Sequence, residues 1–266
     1  MKKITQKTLQ DQLQDSSQSS FSRYQALAIG SDSLWYLFKF ELIMLLFSRI
    51  PGALGLLLRK WTYPLILGSV GKGVIFGRSI TIRHGLKIHI ADNVTVDDFS
   101  ALDAKGEDNQ GIRIGENTII SRNVVLSCKG ADITIGKRCT LGINSIVHAL
   151  QGSPVMIGDD MLCGAFCYFI GSGPYVTDSL KTPFKKQGMT PHGGIIIDNN
   201  VWLGSNVQVL DGVHIETGSI IGSSAVVNRS VAEYSVFAGI PAKLIKKRQE
   251  KQAEEKSQAD NSAEEG

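Results

Sequence analysis

From Ile197 onward an aliphatic residue recurs every six positions: Ile197, Leu203, Val209, Ile215, Ile221 and Val227, without a break. Back to Val70 the same register appears in blocks of three. They begin Val70, Phe76, Ile82; Ile90, Val96, Leu102; Ile114, Ile120, Leu126; Ile135, Leu141, Val147; and Ile157, Cys163, Phe169. Of these 21 lead positions, 20 are Val, Ile, Leu or Phe. Glycine often follows the lead, as at Gly71, Gly115, Gly142, Gly204 and Gly222, and the fourth residue after it is small or apolar, as at Ser100, Cys139, Ser145, Cys167 and Ala225. A helical period of 3.6 does not repeat every six residues, and simple alternation generates no glycine column. Short strands with a sharp corner every six residues do. Leads then point inward, glycine supplies the permissive corner backbone, and the fourth position fills the remaining interior. Three strands close one triangular coil and successive coils stack in parallel, so residues 70–248 are expected to form an all-β parallel β-helix.

Glycine supports many tight turns: there are 28, against roughly 19 from average usage. The net charge of +3 is small and no basic cluster is interleaved with aromatics, which disfavours nucleic acid as a partner. Cys139, Cys163 and Cys167 fall in interior columns, where cysteine acts as a compact apolar filler. With Cys128 they make four cysteines, and Met1 to Ser22 lacks the apolar core of a secretory signal, so reduced thiols in the cytoplasm are expected. Neither the cysteines nor the five scattered histidines have metal-ligand spacing, and no metal is expected.

Residues 1–30 read as a polar leader, partly disordered, and 249–266 as a disordered charged tail. Residues 31–69 are abruptly apolar. Lys39, Glu41 and Arg49 interrupt them and Pro51-Gly52 divides them, short of the roughly 20 apolar residues of a spanning helix. Two short helices meeting at Pro51 are expected, with peripheral membrane contact through residues 31–68. Trp35, Tyr36, Trp61 and Tyr63 would anchor at the interface, and Arg49, Arg59 and Lys60 would face anionic headgroups. A helical cap on the end of the β-domain is the competing reading.

The repeats, and above all IIIDNNVWLGSNVQVLDGVHIETGSIIGSSAVVNRSVAEYSVFAGIPAKLIKKR with its Gly-x-Pro-Ala-Lys exit, resemble the hexapeptide-repeat acyltransferase superfamily. The likeness covers residues 70–248 and is greatest to bacterial sugar and polysaccharide O-acetyltransferases. It implies a left-handed parallel β-helix, a homotrimer, and acetyl-CoA or another acyl-CoA as co-substrate. The implied acceptor is a hydroxyl of an envelope glycan or lipid-linked sugar precursor, and the apolar zone places the reaction at the inner face of the cytoplasmic membrane.

A coil takes 18 residues, yet Ile157 to Ile197 is 40, so a long loop leaves the prism between Gly171 and Gly193; AKGEDNQG leaves it between Leu102 and Ile112. Long loops in a regular solenoid are disproportionately functional. Acyl transfer to a hydroxyl needs a general base. In the family a histidine serves, just after the coil that opens the long loop, with an acidic residue three positions on. Tyr175 occupies the histidine's place here and Asp178 the acidic one. Three readings follow. His192, at the returning foot of the loop, or His148, projecting from the preceding coil, serves instead; Tyr175 contacts substrate or acts as a weaker acid/base; or the chain is a non-catalytic scaffold or ligand-binding protein of the same fold. His84, His89 and His214 read as surface or capping residues. The resemblance also implies a CoA groove between prisms, with Trp202 beside it, Gly204, Ser205, Gly222 and Ser223 along it, and Lys243 and Arg248 near the nucleotide phosphates. Corner packing, and solvation of a terminal helix by KLIKKR, are the plainer alternatives for these residues.

Overall fold

The structure, a computed structural model, describes residues 19–249. The leader up to residue 18 and the charged tail from residue 250 lie outside the described residues. Three sheets wall a solenoid of about seven turns. The first wall runs in seven strands from Ser69–Val70 to His214–Ile215, and the third in seven from Thr81–Arg83 to Val226–Val227. The second runs in nine from Ile75–Phe76 through Ile220–Ile221 to Ser235–Ala238 and Lys243–Lys247. Within the walls, among the described residues, the strands pair in parallel and in lead register, Ile114 beside Ile135, Ile157 and Ile197 in turn, and the last strand, Lys243–Lys247, is antiparallel. All the leads after Val70 are buried, as are the small-column residues Ser100, Cys139, Ser145, Cys167 and Ala225. Polar members of that column bond to backbone inside the prism: Ser145 donates to the Gly164 carbonyl (3.3 Å) and accepts from Cys167 N–H (3.1 Å).

The corner chemistry differs from the sequence expectation. Left-handed backbone sits three residues after the lead, not one. At the corners following the first and second walls this position has positive φ in all seven coils, and Asn fills it at 93, 117, 123, 144, 200 and 206. Asparagine tolerates that conformation better than other side chains. The glycine after the lead answers a different constraint. A Cβ on Gly142 would lie 2.3 Å from the Gly164 carbonyl oxygen and 2.4 Å from its carbon, in the backbone of the next coil. That column sets how closely coils stack.

Leads stand six residues apart at the first two corners in every coil. At the third corner the separations in the first six coils are 8, 12, 9, 10, 28 and 6 residues. All insertions therefore leave the prism along one edge.

Helices close the first coil. Helix α1 (Ser20–Tyr24) continues through a wider turn at Gln25–Ile29 to Gly30, followed by α2 (Leu34–Phe47) and α3 (Gly52–Thr62). Ser33 caps α2 by accepting from Tyr36 N–H (3.3 Å), and Arg59 and Lys60 in the last turn of α3 suit the negative end of its dipole. Ile29, Tyr36, Leu37, Phe40 and Ile43 are buried, and the Tyr36 hydroxyl donates to the Ile66 carbonyl (2.7 Å). His84, expected at the surface or as a capping residue, precedes the short turn Gly85–Lys87 at its cap position but is buried, with Nε2 3.1 Å from the Ala26 carbonyl oxygen, and so ties the leader to the first coil. Arg59, expected to face headgroups, is also buried. Its guanidinium donates to the carbonyls of Phe76 (2.9 Å), Phe47 (3.1 Å) and Ile50 (2.8 Å), joining both helices to the second wall. Three acceptors offset the desolvation of one charge. The outer sides of α2 and α3 remain apolar and exposed. Among the described residues no helix is long and apolar enough to cross a membrane.

Candidate functional site

The third corner gathers the proposed chemical residues. His148 points outward from the third-wall strand Ile146–Leu150, in register with Ser127 below and Ile170 above, and is half-buried. Burial, with help from the Lys129 ammonium, pushes its pKa down to about 4. It is therefore neutral at pH 7 and, with so little proton affinity, a weak general base. Because its folded pKa lies below the ordinary value of 6.5, its contribution to stability is complete above pH 6.5 and is lost as pH falls toward 4. Thermal melts should show Tm falling across that window, and less steeply in His148→Gln than in the parent. Parallel slopes would remove His148 from the acid response.

Ile170 pairs in turn with Leu210, and Asp211 follows. Its carboxylate accepts from the backbone N–H of His192 (2.5 Å) and of Gly194 (2.9 Å), fixing the returning root of the long loop. His192 is exposed at that root, on the same edge as His148. The loop itself is a two-stranded arm: Val176 N–H donates to Gly188 O (2.9 Å) and Thr190 N–H to Pro174 O (3.0 Å). Tyr175 lies opposite Met189 in this arm and is half exposed; Asp178 is exposed farther out. The Gln187 side chain closes the tip, donating to Ser179 O (2.9 Å) and Thr182 O (2.7 Å) and accepting from Ser179 N–H (2.9 Å). Leu180 and Phe184 project from that tip.

The second excursion on this edge is tied to the solenoid. Asp132 accepts from the N–H groups of Gln110 (2.7 Å) and Gly111 (2.8 Å), and Lys87 Nζ donates to the Gly106 carbonyl (2.5 Å). Asp132 and Asp211 thus anchor the two excursions in the same way. Sequence reading missed both, because the pairing of an aspartate with a root one coil away is visible only once the register of insertions is known.

The residues proposed for CoA lie elsewhere on the prism. Trp202 stands on the outer face of the second wall, between Leu162 and Ile220, and is 52% exposed. Ser205 and Ser223 are exposed at the corner between the second and third walls. A Cβ on Gly204 would fall 2.6 Å from Ser223 N, and one on Gly222 2.9 Å from Ala238 Cβ, so both glycines carry stacking constraints. KLIKKR is not helical: Lys243 opens the exposed strand Lys243–Lys247, and the Arg248 guanidinium donates to the Gly218 carbonyl. The outer face of this wall is mostly apolar, with Ile75, Ile119, Leu162 and Trp202 each about half exposed and Thr95 and Thr140 interleaved between them.

His214 Nε2 lies 2.9 Å from Asp198 Oδ1 and His89 Nδ1 2.9 Å from Ser69 Oγ. All four thiols are buried; burial pushes Cys128 up to about 12, and the neighbouring Cys167 thiol together with burial holds Cys163 well above the ordinary value. Neither offers an accessible thiolate nucleophile. Among the described residues no three His, Cys, Asp or Glu side chains are grouped to hold a metal ion.

Residues 194–229 match the family model of the bacterial transferase hexapeptide (six repeats). Over 117 residues, 40% of this chain and 56% of the relative, the sequence is 36% identical to WbbJ of Escherichia coli (strain K12), named for lipopolysaccharide biosynthesis O-acetyl transfer. Over 133 residues, 50% of this chain and 62% of the relative, it is 31% identical to the galactoside O-acetyltransferase of the same strain. The chain thus spans little more than half the length of the curated relatives it matches. The crystal structure of the polySia specific acetyltransferase NeuO is similar with a TM-score of 0.52 and 25% identity, over 69% of this chain and 83% of that one. Repeats in strict register and three stacked parallel walls make the fold a parallel β-helix, and its closing coils, residues 194–229, are the part that resembles the bacterial transferase hexapeptide.

Proposed function

We propose that the protein is an acyltransferase moving an acyl group, most simply acetyl, from acyl-CoA to a sugar hydroxyl of an envelope glycan or lipid-linked precursor. The observation that carries this reading is the edge. All insertions leave along one corner, and that corner holds both candidate imidazoles, Tyr175 and the anchored arm. The acetyltransferase names of the relatives support the same chemistry.

In this reading the acceptor oxygen attacks the thioester carbonyl carbon while its proton passes to the His192 imidazole. The tetrahedral oxyanion then collapses, the C–S bond breaks, and the CoA sulfur leaves with that proton. His192 is preferred to His148, whose depressed pKa suits a neutral hydrogen-bonding role. Direct attack is preferred to an acyl-enzyme because the thiols are buried.

Within one copy the CoA candidates on the second wall and the imidazoles on the third corner occupy different parts of the prism. A trimer that sets the apolar second wall of one copy against the inserted edge of the next would join them. Leu180 and Phe184 at the arm's tip suit such a contact. The proposed location is the inner face of the cytoplasmic membrane, with the helical cap as the contact.

The test is CoA release from acetyl-CoA, screened against soluble and lipid-linked sugars. Turnover that needs an acceptor supports the reading. CoA binding without turnover on any acceptor would favour the scaffold or ligand-binding alternative suggested by Tyr175.

A further inference from the structure

Helix α2 is apolar on every side except for Lys39 and Glu41, yet the described residues cover only one side of it. Leu34, Trp35, Phe38, Leu42, Leu45 and Leu46 are exposed, Trp35 by 72% and Leu45 by 80%. Spaced three or four residues apart, they form one stripe. Leu54, Leu57 and Trp61 continue the pattern on α3, with Leu65 just beyond. A soluble surface rarely leaves such a contiguous face uncovered. Glu41, the one acid on α2, is neutralised in hydrogen-bonding terms by the Tyr24 hydroxyl, which donates to it.

Where α3 ends, a cleft of about 280 Å³ opens between it and the first coil. Its walls include Lys60, Trp61, Pro64, Val70, Lys72 and Gly73, and among the described residues no acidic side chain lines it. The nearby Asp92 carboxylate is already engaged by the backbone N–H of Lys72 (2.7 Å). Two ammonium-bearing side chains therefore share a cleft whose lip, Trp61, also belongs to the apolar stripe.

We propose that this cleft is a binding site for the phosphate of an anionic phospholipid headgroup, seated while the stripes of α2 and α3 lie in the same leaflet. The proposal deepens the membrane contact stated above by giving it a polar subsite. Charge complementarity selects the occupant. Lys60 and Lys72 suit phosphate, and the adjoining indole suits the boundary between headgroups and acyl chains. A second copy is the poorer occupant, because two-fold pairing through this face would bring like charges together.

The test is flotation of the full chain with vesicles of neutral phosphatidylcholine, and with vesicles containing phosphatidylglycerol. The wild type should partition more strongly onto the anionic vesicles, in a salt-sensitive way. Lys60→Gln with Lys72→Gln should lose about thirtyfold of that partitioning, roughly fivefold for each lysine removed, with little change on neutral vesicles. Leu45→Ser with Trp61→Ser should weaken both. Free inorganic phosphate should not displace the protein from anionic vesicles; if it does, the cleft serves a soluble phosphate and the proposal fails. Equal binding of wild type and double lysine variant overturns the headgroup site, and self-association through the cap without vesicle binding overturns the membrane as its occupant. Titration of CoA into the lysine variant, read by calorimetry, keeps this outcome separate from the acyltransferase reading, since both lysines lie at the opposite end of the solenoid from Trp202.

Discussion

Gly142→Val is expected to destabilise the protein by more than about 4 kcal/mol and to abolish soluble expression, whereas Asn144→Gly, two residues away, should fold normally. The contrast follows from the two corner columns. At Gly142 the first side-chain carbon would meet the Gly164 carbonyl oxygen at 2.3 Å and the Ala165 nitrogen at 2.6 Å. These are backbone atoms of the next coil, paired on both sides, and they cannot swing aside as a flexible side chain could. Relief would require opening the stack at Thr140–Leu141 against Leu162–Cys163, which costs ladder bonds and the packing of leads. At Asn144 the demand is conformational: its φ of 60° is one that glycine adopts freely. Removing its side chain loses the amide bond from Asn123 Nδ2 (3.0 Å), an exposed interaction of small net value. Thermal melts of both variants read the difference. Equal destabilisation would mean that the two columns share one role.

That division of labour shows what the sequence makes legible. Wall strands, lead positions and the small interior column are visible in the letters, because burial every six residues demands apolar side chains at fixed spacing. The glycine column is visible too, but its reason is not: a glycine chosen for φ and one chosen for clearance look alike until the neighbouring coil is placed. The same limit governs the site. The long loop betrays itself by its length, but its anchoring by Asp211, and the burial that makes His148 a weak base, depend on which residues stack one coil away. Arg59 is instructive in the opposite sense. Amid apolar residues it suggests a headgroup ligand, whereas three backbone carbonyls left open where the helices meet the first coil claim it first.

His192→Ala is expected to lower turnover by about 10²–10⁴-fold, the range for loss of a positioned general base, with little change in the KM for acetyl-CoA. Trp202→Ala should act in the complementary way, raising that KM more than it lowers kcat. The pair also reports where the site is built. If the imidazole of one copy serves the donor held on the second wall of its neighbour, assemblies purified from co-expressed His192→Ala and Trp202→Ala chains contain some interfaces with both residues intact. Those assemblies should recover a measurable part of wild-type turnover. A site contained within one chain predicts no recovery, because every chain then carries a defect. Undiminished turnover in His192→Ala itself would remove that residue from proton transfer and return attention to Tyr175.

Central to all of this is an acyl-CoA held against the outer face of the second wall near the last coils. Calorimetric titration of acetyl-CoA into the full-length protein, alongside its solution mass, addresses it most directly. Saturable binding at one site per copy in a trimer, weakened in Trp202→Ala, is the expected result. A trimer that takes up no acetyl-CoA at all would contradict it, leaving the β-helix intact and the acyltransferase reading without its donor.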